Sequence, residues 1–384
     1  MISVEALPAE HGDCLWVEWD DGPHRRRMLI DGGPGTRNSL PPGLKARFDR
    51  QPADPAAREF ELVVCTHIDD DHITGLLPLL SAPPEHFSTR DVWFNGHRHM
   101  GGRDTLGARG ANLLVDRLTG SALPWNREAE GGPIVVPDDG PLPVFTPRGL
   151  RLTLLSPTRT WLEKLLKHWP DPRDTTADGD QDLLGSTADD DGTGRTGLTP
   201  EKLAEIITDR PYRPDRNPAN GSSIAFLAEH PDGSRVLFGA DAHAEALVES
   251  LGRRWHGGGF PVALCKVPHH GSAHNVSSAL LGALDCRHWL FSTNGGRGHE
   301  TRLRSGRSTH PDLAAVARIL LHDRPQGPGA TLWFNHRSPS TERYRDPSLH
   351  RCGLRAAEYP SDGTEGITLL VRGTMVVRGQ LPPL

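Results

Sequence analysis

The chain has 384 residues with 43 Lys and Arg against 49 Asp and Glu, a formal net charge of -6. Overall charge therefore gives no support to non-specific nucleic-acid binding, and any such partner requires a local basic patch. No apolar run is long enough for a transmembrane helix. The start Met1-Ile2-Ser3-Val4-Glu5 reads directly as strand, so neither a membrane partner nor a signal peptide is expected. Five cysteines without a Cys-x-x-Cys pair give neither a disulfide framework nor zinc-finger spacing. Cys14, Cys65, Cys265 and Cys286 sit in or beside apolar, strand-like runs and read as buried thiols of a reduced, cytoplasmic protein.

In chain order, strands are predicted near 2 to 7, 13 to 19, 27 to 31, 62 to 66 and 91 to 94. Asp20-Asp21-Gly22-Pro23 reads as a hairpin turn, and His24-Arg25-Arg26-Arg27 as a solvent-facing basic flank. A helix starts at 74 to 80, and a strand returns at 150 to 155. Residues 161 to 168 have helical spacing, whereas 171 to 197 are rich in Asp, Gly and Thr and read as a flexible part of a central insertion spanning about 158 to 215. The insertion is a candidate lid. Thr199 is the predicted N-cap of a helix from 200. Strands follow at 223 to 229, 235 to 238, 263 to 267 and 288 to 291, with helices at 242 to 251 and 312 to 321. The segments 330 to 334, 367 to 371 and 374 to 377 read as an appended β-rich extension, a hairpin or small sheet.

The chemistry concentrates in Thr66-His67-Ile68-Asp69-Asp70-Asp71-His72, where five of seven residues are potential metal ligands directly after the apolar run Leu62-Val63-Val64-Cys65. Alternation past a strand end turns His67, Asp69 and Asp71 the same way, with His72 beside them. Two later strands end in ligand-type residues as well: Phe238-Gly239-Ala240-Asp241, and Lys266-Val267-Pro268-His269-His270-Gly271-Ser272. A Gly- and Arg-rich loop after 288 to 291 contains Arg297, Arg302, Arg304 and Arg307 and closes at His310-Pro311. Strand ends feeding one edge are where α/β proteins build sites.

These blocks, with Glu10-His11-Gly12-Asp13-Cys14 expected on the first strand, Met28-Leu29-Ile30-Asp31-Gly32-Gly33, Leu155-Ser156-Pro157 and Asn220-Gly221-Ser222-Ser223-Ile224, resemble in order the metallo-β-lactamase fold superfamily. Within it they resemble the hydrolase domain of ComEC-type competence proteins and its free-standing relatives. The resemblance covers about residues 1 to 322. It implies a four-layer αββα fold over that span, with 323 to 384 as a β-rich extension packed on the same domain. It also implies two divalent metal ions, zinc, manganese or iron. His67 and Asp69 would hold one, Asp71 and His72 the other, and Asp241 would bridge them. The last ligand falls to His269 or His310, with His270 or His310 as a further ligand or a proton and phosphate contact. His97 and His99 lie where many relatives carry a further histidine, but they read first as solvated loop residues. The superfamily's usual motif is His-x-His-x-Asp-His, so Asp69 departs from it. Carboxylate oxygen is harder than imidazole nitrogen, which moves the expected preference from zinc toward manganese, iron or magnesium.

The implied activity is a metal-dependent hydrolase, a phosphodiesterase or nuclease acting on phosphodiester or nucleic acid. Asp71 and His270 are its expected catalytic groups, and Ser272, Arg302 and Arg304 its expected substrate contacts. Two alternatives stand beside this reading. One is a hydrolase of small esters, lactones or lactams. The other is a metal-bound partner subunit of a multi-component system.

Overall fold

The computed structural model describes residues 1 to 101, 110 to 169, 197 to 295, 310 to 323 and 329 to 379. Two mixed sheets carry the architecture. The first runs in the order Met375–Arg378, Ile367–Arg372, Ile2–Ala6, Leu15–Asp21, His24–Ile30, Leu62–Val64 and Val92–Trp93. Its last three strands are parallel neighbours and the others antiparallel. The second runs Leu354–Glu358, Ala330–Phe334, Leu284–Phe291, Phe260–Lys266, Arg235–Phe238, Ala225–Glu229, Arg151–Ser156 and Val144–Phe145. Here the first five are parallel and the rest antiparallel.

Strict alternation along the strands decides the layers. In the first sheet Val4, Val17, Trp19, Met28, Ile30, Val64 and Trp93 share one buried cluster with Phe226 and Phe238 of the second. The Trp93 and Phe226 rings meet edge-on between the sheets at 6.1 Å. Their sequence neighbours Trp16, Leu29, Val63, Val92 and Phe94 form a separate cluster on the outer face. Leu44 and Phe48 of helix Pro42–Asp49, Leu76 and Leu79 of Leu76–Ser81, and Leu114 and Leu118 of Gly110–Thr119 fill that cluster. Helices Ala244–Arg254, Ser278–Ala283 and Leu313–Leu321 pack against the second sheet through Leu247, Leu280 and Val316. The result is an α/β fold with the αββα layering that the metallo-β-lactamase resemblance implies. No described helix is long and apolar enough to cross a membrane.

Three local readings meet the structure differently. Thr199 caps helix Pro200–Asp209 as predicted, accepting the Lys202 N–H at 3.3 Å. The basic flank faces solvent only in part: His24 is exposed, but Arg25 and Arg26 are half-buried and Arg27 is buried, all within strand His24–Ile30. Register places Arg27 opposite Glu18, so Arg27 Nε sits 3.1 Å from Glu18 Oε1, and Arg26 Nη1 lies 3.2 Å from Glu61 Oε1. The carboxy-terminal strands are divided between the two sheets, with Ile367–Arg372 joining Ile2–Ala6 antiparallel and Ala330–Phe334 joining Leu284–Phe291 parallel. All five cysteines are free and buried, and burial raises the thiol pKa of Cys14, Cys65, Cys265 and Cys352.

Candidate metal centre

Each site residue leaves a strand at one shared edge. Asp31 follows His24–Ile30, and the His67 to His72 segment follows Leu62–Val64. Asp241 follows Arg235–Phe238, and His269 and His270 follow Phe260–Lys266. The Ile224 N–H donates to the Thr66 carbonyl at 2.9 Å and ties the two sheets together there. Glu10 to Cys14, expected on the first strand, instead forms the loop between Ile2–Ala6 and Leu15–Asp21 and delivers Asp13. Gly12 permits this approach, since a Cβ at that position would collide with the Asp71 carbonyl. Of nine described non-glycine residues with positive φ, five lie here: Glu10, Asp31, Ala240, His269 and His270. Such conformations cost roughly 1 to 3 kcal/mol each and persist where surrounding structure imposes them.

Hydrogen bonding fixes the tautomer of three imidazoles. His72 Nδ1 lies 2.8 Å from Asp31 Oδ2, and an ionised carboxylate only accepts, so Nδ1 carries the proton. Thr66 Oγ1 donates to the same Asp31 Oδ2 at 2.8 Å, which leaves its lone pair to accept from His67 Nδ1 at 2.9 Å. His270 Nδ1 donates to the Ser292 carbonyl at 2.8 Å. All three rings therefore present Nε2 to the interior. His270 Nε2 stands 3.3 Å from His72 Nε2, 3.4 Å from Asp71 Oδ2 and 3.5 Å from Asp241 Oδ2. His72 Nε2 is 3.5 Å from both Asp71 Oδ2 and Asp241 Oδ2. His67 Nε2 and Asp241 Oδ1 are buried without a hydrogen-bond partner.

Lone pairs converging on carboxylate oxygens repel unless positive charge lies among them. Asp13, Asp31, Asp71 and Asp241 are all buried here against one buried ammonium, that of Lys266. Burial works against charge on His72, yet Asp71, Asp241 and Asp31 hold its imidazolium well above the usual range. Burial likewise opposes charge on Asp241, yet His270, His72 and His269 hold its carboxyl well below the ordinary value. The donor set suits divalent cations. His67, His72 and Asp241 offer ligand atoms within 4.8 Å of one another, as do Asp71, His72 and His270, and Asp13, Asp241 and His270.

The remaining predicted residues fall as follows. Asp69 Oδ2 lies 3.5 Å from His67 Nε2, with the Asp69 side chain 26% exposed. His269 Nε2 is 3.8 Å from Asp241 Oδ2. The His310 ring sits 5.0 Å from that of His269 and 6.4 Å from that of His270, with His310 Nδ1 3.6 Å from Asp312 Oδ1. Ser272 is buried, and its Oγ accepts the His274 N–H at 3.2 Å. His97 and His99 pack on Trp169 and Trp125, at 5.4 and 4.6 Å between ring centroids. Arg302, Arg304 and most of the 171 to 197 segment lie outside the described residues. In the sequence Asp13, Asp31 and Lys266 lie inside the motif blocks but carry no assigned role, and Asp215 and Asn275 lie outside them. Only Asp31 and Lys266 carry a signal, as polar residues at the ends of apolar strands.

No protein-family model matches the chain, and no curated protein does. Among solved structures, the metallo-beta-lactamase fold protein YhfI from Bacillus subtilis aligns over 95% of this chain and 99% of its own, at 10% sequence identity and a TM-score of 0.39. The α/β architecture follows from the two mixed sheets and their flanking helices, and the buried His and Asp clusters are arranged as metal sites are.

Proposed function

We propose that this chain is a binuclear metal-dependent hydrolase whose favoured substrates are phosphodiesters, nucleic acids among them. The observation that carries the reading is the convergence of three tautomer-fixed imidazoles, His67, His72 and His270, on Asp71 and Asp241. In this reading His67 and Asp69 would hold one cation and Asp71 and His72 the other, with Asp241 as the ligand shared by both. The two ions supply Lewis acidity and charge stabilisation for hydrolytic attack at phosphorus or carbonyl carbon. Asp71 orients the attacking water, and His270, 3.4 Å away, holds or passes the proton. His310, beside His269 and His270, would supply a further ligand or a proton and phosphate contact. The preference for phosphodiesters draws on the ComEC-type resemblance and on the arginine-rich sequence from 297 to 307.

The test is metal content and turnover together. Protein stripped and reloaded with manganese, zinc or iron should carry two ions per chain. It should cleave single-stranded DNA, RNA, a cyclic dinucleotide or bis(p-nitrophenyl) phosphate. Asp241→Ala should lose both ions and turnover, because a carboxylate between two cations touches each. An unchanged two-ion stoichiometry in that variant refutes the bridging role. Turnover of lactones or thioesters without phosphodiesters would move the substrate class to small esters.

A further inference from the structure

His269 differs from the other three histidines in how its ring is held. Its Nδ1 lies 3.0 Å from Asn275 Oδ1 and 3.4 Å from Asn220 Nδ2, one an acceptor and the other a donor. The two amides therefore call for opposite tautomers. An acceptor at Nδ1 leaves the Nε2 lone pair toward Asp241, whereas a donor at Nδ1 puts a proton on Nε2 and removes that lone pair.

Asp215 decides between them. The Asn275 NH2 is ringed by acceptors, with Asp215 Oδ2 at 3.1 Å and the carbonyls of Asp241 and Ala242 at 3.2 Å each. With its NH2 so committed, Asn275 turns its oxygen to His269. The Asn220 NH2 is drawn to the same Asp215 Oδ2 at 2.8 Å, shorter than its 3.4 Å approach to the ring. The other oxygen, Asp215 Oδ1, accepts the Asn217 N–H at 2.8 Å. Asp215 is buried, and its Oδ2 lies 3.6 Å from His269 Nδ1. His243 Nε2 is also close to Asp215, at 3.7 Å from Oδ1, but it turns instead to the Asn217 carbonyl at 3.1 Å.

We infer that Asp215 is a positioning residue which, by orienting the Asn275 and Asn220 amides, fixes His269 as the Nδ1–H tautomer with its Nε2 lone pair facing Asp241. Carboxylate–amide–histidine ordering of this kind sets ligand direction and basicity, and disturbing such partners costs roughly 10- to 100-fold in metal affinity. The metal half of this inference rests on the binuclear reading. The tautomer half does not.

Two-bond proton–nitrogen NMR on histidine-labelled full-length chain reads the tautomer directly, with the His269 signals assigned from His269→Gln. In the metal-free and zinc-loaded wild type, His269 should be protonated at Nδ1, and a proton at Nε2 in the metal-free chain overturns the inference. In Asp215→Asn the fixed Asn217 N–H holds the amide oxygen at the Oδ1 position and leaves the NH2 at the Oδ2 position, so Asn275 should turn its oxygen toward residue 215 and its NH2 toward His269. His269 should then shift toward Nε2–H, and zinc titration should show one equivalent weakened by roughly 10- to 100-fold while the other holds. A lower melting temperature with unchanged tautomer and zinc affinity would assign Asp215 a structural role only. Should that variant fail to fold, Asn275→Asp provides the check, since it keeps an acceptor at Nδ1 and should keep the Nδ1–H form. A change of tautomer there counts against the inference. A wild type with Nδ1–H His269 that takes up no metal would sink the binuclear reading and leave the tautomer assignment standing.

Discussion

Lys266 is the least expected side chain in the centre. It is the last residue of strand Phe260–Lys266 and fully buried, pairs with Asp13, donates to the Ala240 carbonyl at 3.1 Å and stands 3.7 Å from Asp241 Oδ1. It therefore holds the strained Ala240 turn and offsets two carboxylates at once. Burial alone would drive its pKa down, but Asp13 and Asp241 more than reverse that, so the ammonium stays charged. Lys266→Met leaves those carboxylates uncompensated and should destabilise the metal-free fold by about 3 to 5 kcal/mol, read as a lowered urea midpoint. A midpoint within error of the parent would show that the pair contributes nothing net. At the rim, Asp69 makes a different statement. Replacing it by His supplies a softer ligand beside His67, so competition between zinc and manganese should move toward zinc. Unchanged relative affinities would place Asp69 outside the ligand set.

Strands position the centre, but loops build it. The loop with Gly12 presses on the Asp71 backbone, so Gly12→Ala should push Asp13 and Asp71 apart. Metal binding should weaken while the far ends of both sheets stay protected from hydrogen exchange. Loss of protection throughout the chain would instead mean that the loop governs folding. This division also explains what the sequence made legible. His67 to His72, Asp241 and the His269-His270 pair could be found because each follows an apolar, period-two run, and alternation alone points them to one edge. Asp13 does not read as a site residue because its segment has the pattern of a strand, and the close approach that gives it a role depends on contact with residue 71. Asp215 and Asn275 carry no periodic signal: Asn275 hydrogen-bonds a histidine six residues away, and Asp215 acts on that same ring, more than 50 residues distant, only through the Asn275 and Asn220 amides. Arg26 and Arg27 misled for a related reason: three consecutive arginines read as solvated until register sets Glu18 and Glu61 against them.

At the scale of the molecule, the first sheet is closed by strands far apart in sequence. Ile2–Ala6 lies between Leu15–Asp21 and Ile367–Arg372, with Ile2 opposite Val371 and Ala6 opposite Ile367. Ile367, Leu369 and Val371 also sit in the cluster between the sheets. Deleting residues 367 onward should therefore remove core and bare the backbone of Ile2–Ala6, giving concentration-dependent association by light scattering. A truncated chain that stays monomeric with an unchanged melting temperature would show that this strand adds little. The same pairing bears on how the protein is made. At about 5 to 20 residues per second, translation leaves the open side of Ile2–Ala6 without its partner for roughly 20 to 70 s. Throughout that interval the nascent chain carries an exposed template for strand addition, and its earliest strand is among the last to be sealed.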